Sequence, residues 1–228
     1  MEPSWIEEHR VKLLATENVT HDVKRFTLSK PESYPFKPGQ ATDIVINLPG
    51  WKNVRKPFTF TGLNDWDYLE FTIKIYPEHK GITDQLSKLK PGTELILHDV
   101  FGSIQYKGEG IFIAGGAGVT PFISIFRQLY KDGMVGNNEL FFSNKTSADI
   151  ILKDEFEKML GRNFINTLTR EKTSRYENSR IDKNYLRRRI TDFSKYFYVC
   201  GPNAMIDSIC ESLQELGVDK NKLVFDRF

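Results

Sequence analysis

Gly115-Gly116-Ala117-Gly118-Val119-Thr120-Pro121 directly follows the apolar run Ile111-Phe112-Ile113-Ala114 and opens a stretch with helical periodicity. Glycines 116 and 118 permit a tight turn and a close backbone approach, and Pro121 suits a first helical position, where its missing N–H would be unpaired anyway. Amides exposed by such a turn, together with the positive end of a helix dipole, form an anion site suited to a pyrophosphate. A glycine turn that only packs helix on strand is the competing reading, but the strand–turn–helix context that a dinucleotide loop needs is met here. Three further groups carry chemistry. Lys56-Pro57-Phe58-Thr59, with Arg55 beside it, offers a charge, an aromatic face and a hydroxyl; Cys200-Gly201-Pro202 ends an apolar stretch; Thr169-Arg170 ends another.

These groups belong to two halves with different patterning. The first hundred or so residues hold short, largely alternating runs rich in β-branched and aromatic residues: Val11–Ala15, Val23–Leu28, Thr42–Ile46 and Tyr68–Tyr76. Turn residues separate them, among them Pro38-Gly39, Pro49-Gly50 and Pro91-Gly92. This spacing predicts a small antiparallel β-barrel or sandwich, interrupted by one or two helical turns over Thr83–Leu89. From about Gly110, wholly apolar runs at Ile111–Ala114 and Leu140–Phe142, then Phe164–Leu168, Tyr196–Val199 and Leu223–Phe225, read as strands. Helical patterns fill the gaps at Pro121–Tyr130, Ala148–Leu160, Asp182–Ile190 and Asn203–Leu216. Alternation of this kind predicts a doubly wound parallel sheet. The expected organisation is therefore a β-barrel over residues 1–107 and an α/β domain over 108–228.

Composition narrows the partners. The 228 residues include 32 basic and 30 acidic side chains, and a net charge of +2 gives no reason to expect nucleic acid. No apolar run approaches the roughly 20 residues that a membrane span needs, and the first residues lack the basic and apolar blocks of a signal peptide; the expectation is a soluble, cytoplasmic monomer. The two cysteines, Cys200 and Cys210, exclude an iron–sulfur cluster ligated within this sequence. The four histidines show no metal-ligand spacing, so no metal is expected. Between Arg162 and Arg189, nine basic residues face three acidic ones, a local excess of six.

Gly116-x-Gly118-x-x-Pro121, Cys200-Gly201-Pro202 and Lys56-Pro57-Phe58-Thr59, in that family's order, resemble the ferredoxin–NADP⁺ reductase superfamily, specifically its bacterial flavodoxin/ferredoxin reductases. The resemblance spans essentially the whole chain. It implies an antiparallel β-barrel holding FAD and an α/β domain holding NADPH, with NADH the alternative. Lys56-Pro57-Phe58-Thr59 loosely matches the family's Arg-x-Tyr-Ser/Thr: Phe58 would stack on the flavin, Thr59 would bond its reactive edge, and either Arg55 or Lys56 would meet the pyrophosphate. The second flavin element would be Lys74-Ile75-Tyr76 followed by Gly81-Ile82-Thr83, with Thr83 capping the short helix. Phe36-Lys37-Pro38-Gly39-Gln40 resembles the family's barrel turn and reads as structural.

The resemblance also places Gly116, Gly118, Thr120, Pro121, Cys200, Gly201 and Pro202 on the nicotinamide nucleotide. It puts Thr59, Cys200, Asp226 and Phe228 around the redox centre, the last two resembling the family's Glu-x-Tyr ending. Thr169 and Arg170, then Arg175 and Arg180, would meet the adenosine 2′-phosphate. Flavodoxin or ferredoxin would accept the electrons, docking on basic rims that include Lys52, Arg55, Lys56 and Arg187–Arg189. A reductase component of an oxygenase and an NADH-linked flavin reductase share the fold. A non-catalytic dinucleotide sensor with an empty barrel is the alternative from another class, and it rests on the weakened flavin motif.

Overall fold

The computed structural model describes residues 7–102 and 104–226. The first sheet is antiparallel and six-stranded: β1 (His9–Asn18), β2 (Val23–Ser29), β3 (Ala41–Ile46), β4 (Lys56–Thr59), β5 (Tyr68–Lys74) and β6 (Glu94–Phe101), in the order β4-β3-β6-β1-β2-β5. Its two outer strands meet. Phe60 bridges Phe71, and the Thr61 amide donates to the Glu70 carbonyl at 2.9 Å, so the sheet closes into a barrel. Phe26, Phe60, Phe71 and Leu97 are fully buried inside it, and Phe36 stacks on Phe60 with ring centroids 4.1 Å apart.

Two strands, β4 and β6, lack a counterpart among the strands expected from the sequence. β6 carries Leu95, Ile96 and Leu97 in succession, all buried, so the two-residue alternation that marks a half-exposed strand is absent. The expected helical turn is present as α1 (Ile82–Ser87), which drives Ile82 and Leu86 into the barrel core.

The second sheet is parallel: β7 (Gly110–Gly115), β8 (Glu139–Asn144), β9 (Phe164–Leu168), β10 (Tyr196–Cys200) and β11 (Leu223–Phe225), in the order β11-β10-β7-β8-β9. Helices α2 (Thr120–Lys131) and α3 (Lys153–Leu160) cover one face, packing Phe122, Phe126 and Phe156 on Phe112 and Phe142. Helices α4 (Lys183–Arg189) and α5 (Asn203–Glu215) cover the other, packing Leu186 and Ile206 on Ile111, Ile113 and Phe141. This is the doubly wound arrangement, and it explains why β7 is buried at every position.

The single helix expected over Ala148–Leu160 is broken. Thr146 and Asp149 cap each other across a short 3-10 turn (Ser147–Asp149), Ile150 turns extended, and Leu152 adopts a left-handed backbone (φ 50°) before α3 begins. Ile150 and Ile151 are both buried in the core of this face. Their burial outweighs helical continuity.

The two sheets are tied together. In the connection after β6, the Tyr198 hydroxyl accepts from the amides of Lys107 and Gly108 (2.9 and 3.1 Å) and donates to the Gly108 carbonyl (2.7 Å). Helix α2 touches the barrel directly: Ser124 Oγ accepts from the Gly39 amide at 3.0 Å. The Phe36–Gln40 turn, read as structural from sequence, is thus part of the domain interface. Gly39 has φ +93°, and a Cβ there would come within 2.1 Å of the Ile104 carbonyl oxygen. Gly39→Ala should lower stability by roughly 2–4 kcal/mol, through left-handed strain and overpacking together. Urea unfolding checks this; an unchanged midpoint would contradict the packing described.

Candidate functional site

Strand order reverses between β7 and β10, and chains leaving a parallel sheet at such a point turn to opposite faces and leave a crevice. Ala114 pairs with Cys200 across these strands. The loop Gly115–Pro121 and the loop Cys200–Pro202 therefore lie side by side at the carboxyl edge.

The glycines have separate reasons. A Cβ on Gly118 would meet the Cys200 carbonyl oxygen at 2.4 Å and the Gly201 Cα at 2.5 Å, so Gly118 serves backbone-to-backbone packing of the two loops. A Cβ on Gly115 would strike Met205 Sδ at 2.4 Å. Gly116 differs: its φ is +52° and nothing lies within 4 Å of a Cβ built there. Only Gly116 faces open space. The ligand-approach role expected of both Gly116 and Gly118 thus divides, and Gly118 takes the packing reason. Thr120 donates its hydroxyl to the Ala117 carbonyl (3.0 Å) and fixes the loop, and Pro121 occupies the first turn of α2.

Further along the same edge, Thr169 and Arg170 extend β9 outward. Their amides donate to the carbonyls of Asn144 and Lys145, both at 2.9 Å, and their side chains are exposed. Neither Arg170 nor Arg180 joins an ion pair among the described residues. Arg175 pairs with Glu157 (2.7 Å) and lies over the Tyr176 ring at 5.4 Å. A cleft of about 450 Å³ is lined by Ser147, Ala148, Lys153, Thr173, Arg175 and Tyr176. Arg188 and Arg189 bond Glu177 at 3.2 and 2.6 Å, so two arginines expected on a docking rim instead hold the loop after β9.

Sequence reasoning missed Asn144. It is 5% exposed at the end of β8, and both its side-chain oxygen and nitrogen lack partners; the Asn166 oxygen and the Tyr176 hydroxyl are likewise buried without partners. Asn166 pairs with Phe142, two residues before Asn144, so the two asparagines share a sheet face. A buried polar atom without a partner calls for a water or ligand. The only signal in the sequence is a polar residue closing the apolar run Leu140-Phe141-Phe142. With the open Gly116 turn and the unpaired Arg170, these atoms fit a nucleotide along the carboxyl edge.

Cys200 is 3% exposed, and burial, seconded by the nearby Asp226 carboxylate, pushes its thiol up to about 12. Burial thus favours the neutral thiol over the nucleophilic thiolate. Val199 pairs with Phe225, which brings Asp226 next to Cys200, so these two expected residues do meet. Phe228 lies outside the described residues.

On the barrel, Thr59 is 9% exposed and pairs with Ala41, while Phe58 is half-buried against the barrel core. Arg55 lies 3.4 Å from His98 Nδ1 and 4.0 Å from Asp43; Lys56 is exposed. Burial, then the Arg55 charge, holds His98 below the ordinary histidine range, so its neutral ring accepts from Arg55. Gly81 opens α1 with nothing but the His79 carbonyl oxygen, at 4.0 Å, near a Cβ built on it. Two expectations change here. Thr83 does not cap α1, because its hydroxyl accepts from the Tyr76 amide at 3.4 Å. Lys74 spends its charge on Asp22 at 2.7 Å. Ile75 and Ile82 are core residues, and Tyr76 stacks on His79, so this segment offers a cofactor mainly backbone at Gly81 and α1. A half-exposed Phe58, the basic pair and that open glycine turn fit a flavin nucleotide.

A barrel with a basic, aromatic edge, joined to a parallel sheet with an open glycine loop, fits a two-domain flavin- and nicotinamide-dependent oxidoreductase. Residues 10–106 match the oxidoreductase FAD-binding domain family and residues 112–211 the oxidoreductase NAD-binding domain family. The chain thus joins an FAD-binding to an NAD-binding oxidoreductase domain, which supports FAD and a pyridine nucleotide as its cofactors. The match of residues 10–106 to an FAD-binding domain family counts against a barrel without flavin.

The chain is 28% identical over 242 residues to the reductase component of propane 2-monooxygenase from Rhodococcus jostii (strain RHA1), covering 98% of this chain and 64% of that protein. It thus spans just under two-thirds of that relative. It is 22% identical over 225 residues to the ferredoxin–NAD(P)⁺ reductase component of the Pseudomonas putida naphthalene 1,2-dioxygenase system, covering 95% of this chain and 67% of that protein. In fold it is similar to a ferredoxin NADP⁺ reductase from Neisseria gonorrhoeae solved with FAD and NADP, at a TM-score of 0.84 and 20% identity, with 96% and 98% of the two chains covered. No helix among the described residues is long and apolar enough to cross a membrane.

The Cys200 environment is testable. Iodoacetamide at about pH 8 should label Cys200 far more slowly in the native protein than in the urea-unfolded chain. The ordinary thiol value is 9.0 and the folded one about 12, so above 9.0 the unfolded chain sheds a proton that the folded one keeps. Stability should fall through that window, and less steeply in Cys200→Ala. Equal labelling rates, or identical alkaline limbs, would contradict a buried neutral thiol.

Proposed function

We propose that the chain takes reducing equivalents from NADPH through FAD and delivers them singly to a separate iron–sulfur or flavin protein, ferredoxin or flavodoxin by chemical class. The observation that carries this reading is the carboxyl edge. There an open Gly116 turn, the Cys200–Pro202 loop and an unpaired Arg170 lie along one line of adjacent strand ends.

When bound, the two cofactors supply hydride transfer and one-electron release. The protein's part is placement. Backbone amides at Gly116–Val119 and the start of α2 hold the dinucleotide phosphates. Cys200 presents a small apolar thiol where a nicotinamide ring must lie flat, with Asp226 beside it. Phe58 and Thr59 give the flavin an apolar face and a hydroxyl, and Arg55 is oriented by His98 toward its phosphates. Thr169 and Arg170 meet the 2′-phosphate, with Arg175, Tyr176 and Lys153 completing that end of the cleft. Arg180 adds charge.

One charge-assisted hydrogen bond contributes about 1.5–3 kcal/mol, so Arg170 alone gives roughly a ten- to hundredfold preference for the phosphorylated nucleotide. A second reading, a reductase component of an oxygenase system, is favoured by the roles of the Rhodococcus and Pseudomonas relatives. Both readings need an acceptor outside these residues, because two cysteines ligate no cluster.

The purified protein should be yellow with FAD and should bleach anaerobically with NADPH faster than with NADH. Arg170→Ala should raise the KM for NADPH by roughly tenfold or more and leave that for NADH within about twofold. A colourless protein that takes up no FAD would overturn the reading. Equal losses with both nucleotides would remove the 2′-phosphate assignment.

A further inference from the structure

Helix α2 begins at the candidate phosphate loop and ends against the barrel. Ser124, Arg127 and Lys131, spaced three and four residues apart, share one of its faces. Ser124 meets Gly39, and Lys131 pairs with Asp65. Between them sits Arg127, whose side chain is only 10% exposed.

Every arm of this guanidinium is occupied. Nη1 donates to the Thr61 carbonyl at 2.8 Å and to Glu70 Oε1 at 2.6 Å, both on the barrel. Nε and Nη2 donate to the two oxygens of Glu155 at 2.5 and 2.9 Å, on α3 of the parallel-sheet half. The cation also lies over the Trp66 ring at 5.4 Å. Burial opposes its charge, but Glu155 and Glu70 outweigh that and hold its pKa above the ordinary arginine value. Glu70 is itself 4% exposed and also accepts from the Thr61 hydroxyl at 2.9 Å, while Arg25 stands 3.6 Å away.

Buried ion networks of this kind add little net stability compared with an apolar contact of equal volume, yet removing one member leaves a bare buried charge. They therefore fix one geometry sharply. A sliding apolar interface would tolerate several domain angles; this one permits the angle at which a planar fork meets two carboxylates and a carbonyl at once.

The carbonyl it holds belongs to Thr61, two residues beyond Thr59 and one beyond the Phe60–Phe71 bridge that closes the barrel. We infer that Arg127 is a positioning residue: through Thr61 and Glu70 it sets the spacing between the candidate flavin strand and the phosphate loop at the head of α2, and so the approach of the two cofactor rings. This inference rests on the proposed function, in which those two elements hold the flavin and the nicotinamide nucleotide. Misplacement by an ångström in such a reaction costs on the order of a hundredfold in rate.

The test uses FAD-loaded wild type, Arg127→Lys, Arg127→Met and Glu70→Gln. The limiting rate of flavin reduction is measured by anaerobic stopped flow, alongside the affinities for FAD and for the oxidised nucleotide. Hydrogen exchange of the flavin-free proteins reports on the clamp itself.

Arg127→Met should lower the limiting rate on the order of ten- to a hundredfold with both affinities within about twofold. Arg127→Lys should fall between it and wild type. Glu70→Gln should act in the same direction and add little to Arg127→Met in the double variant. Peptides over 59–63 and 68–72 should exchange faster in each variant, while those over β10 should not. If Arg127→Met does not fold, the lysine and Glu70→Gln variants decide on the same criteria.

Faster exchange with limiting rates within about twofold of wild type would overturn the positioning role and leave Arg127 as packing alone. Lost FAD or nucleotide affinity that accounts for the whole rate change would overturn it too. A wild type that neither nucleotide reduces would instead sink the proposed function, and this inference with it.

Discussion

The contact on which the site depends is between two backbones. Gly118 lies against the Cys200 carbonyl and the Gly201 Cα, so the first and fourth strands of the parallel sheet release their loops with no side chain between them. A single methyl group there would push the loops apart. Because they touch, the start of α2 and the end of β10 form one continuous rim, and the Gly116 turn is left facing solvent. The parallel sheet supplies the crevice; glycine lets its two loops touch backbone to backbone.

From that rim the structure extends in two directions. Along the carboxyl edge run Asn144, Thr169 and Arg170, offering the partnerless side-chain amide of Asn144 and the single positive charge of Arg170. Across the domain boundary runs α2, which carries the geometry of the rim to the barrel through Ser124 and Arg127. Cys200 has a consistent place in this scheme. Burial keeps its thiol neutral, so it can lie beneath a ring without reacting with it.

Much of this was legible in the residues. Ile111–Ala114 and Leu140–Phe142 fall within β7 and β8 as expected, because strands buried on both faces are short unbroken apolar runs. The glycine–proline loops were legible because glycine and proline act locally on the backbone. β6 was hidden, since three successive apolar residues, Leu95-Ile96-Leu97, erase the two-residue alternation. The break at Leu152 was hidden because the pattern of Ala148–Leu160 satisfies a helix until Ile150 and Ile151 are both claimed by the core. The Arg127 network was invisible in principle. Its partners stand at positions 61, 70 and 155, and no periodicity links residues that only the tertiary fold brings together. The competition for Lys74 and Thr83 was hidden for the same reason: a motif lists side chains, and Asp22 and Tyr76 had already engaged these two.

The central claim is that the barrel and the glycine loop bring two rings face to face above Cys200. A crystal structure of the protein with FAD and NADP⁺ tests it most directly. The account predicts the flavin against Phe58 and Thr59, its phosphates near Arg55 and Gly81, the dinucleotide phosphates on the amides of Gly116–Val119, and the nicotinamide over Cys200. A flavin bound away from β4, or a dinucleotide whose phosphates ignore Gly116, would contradict it.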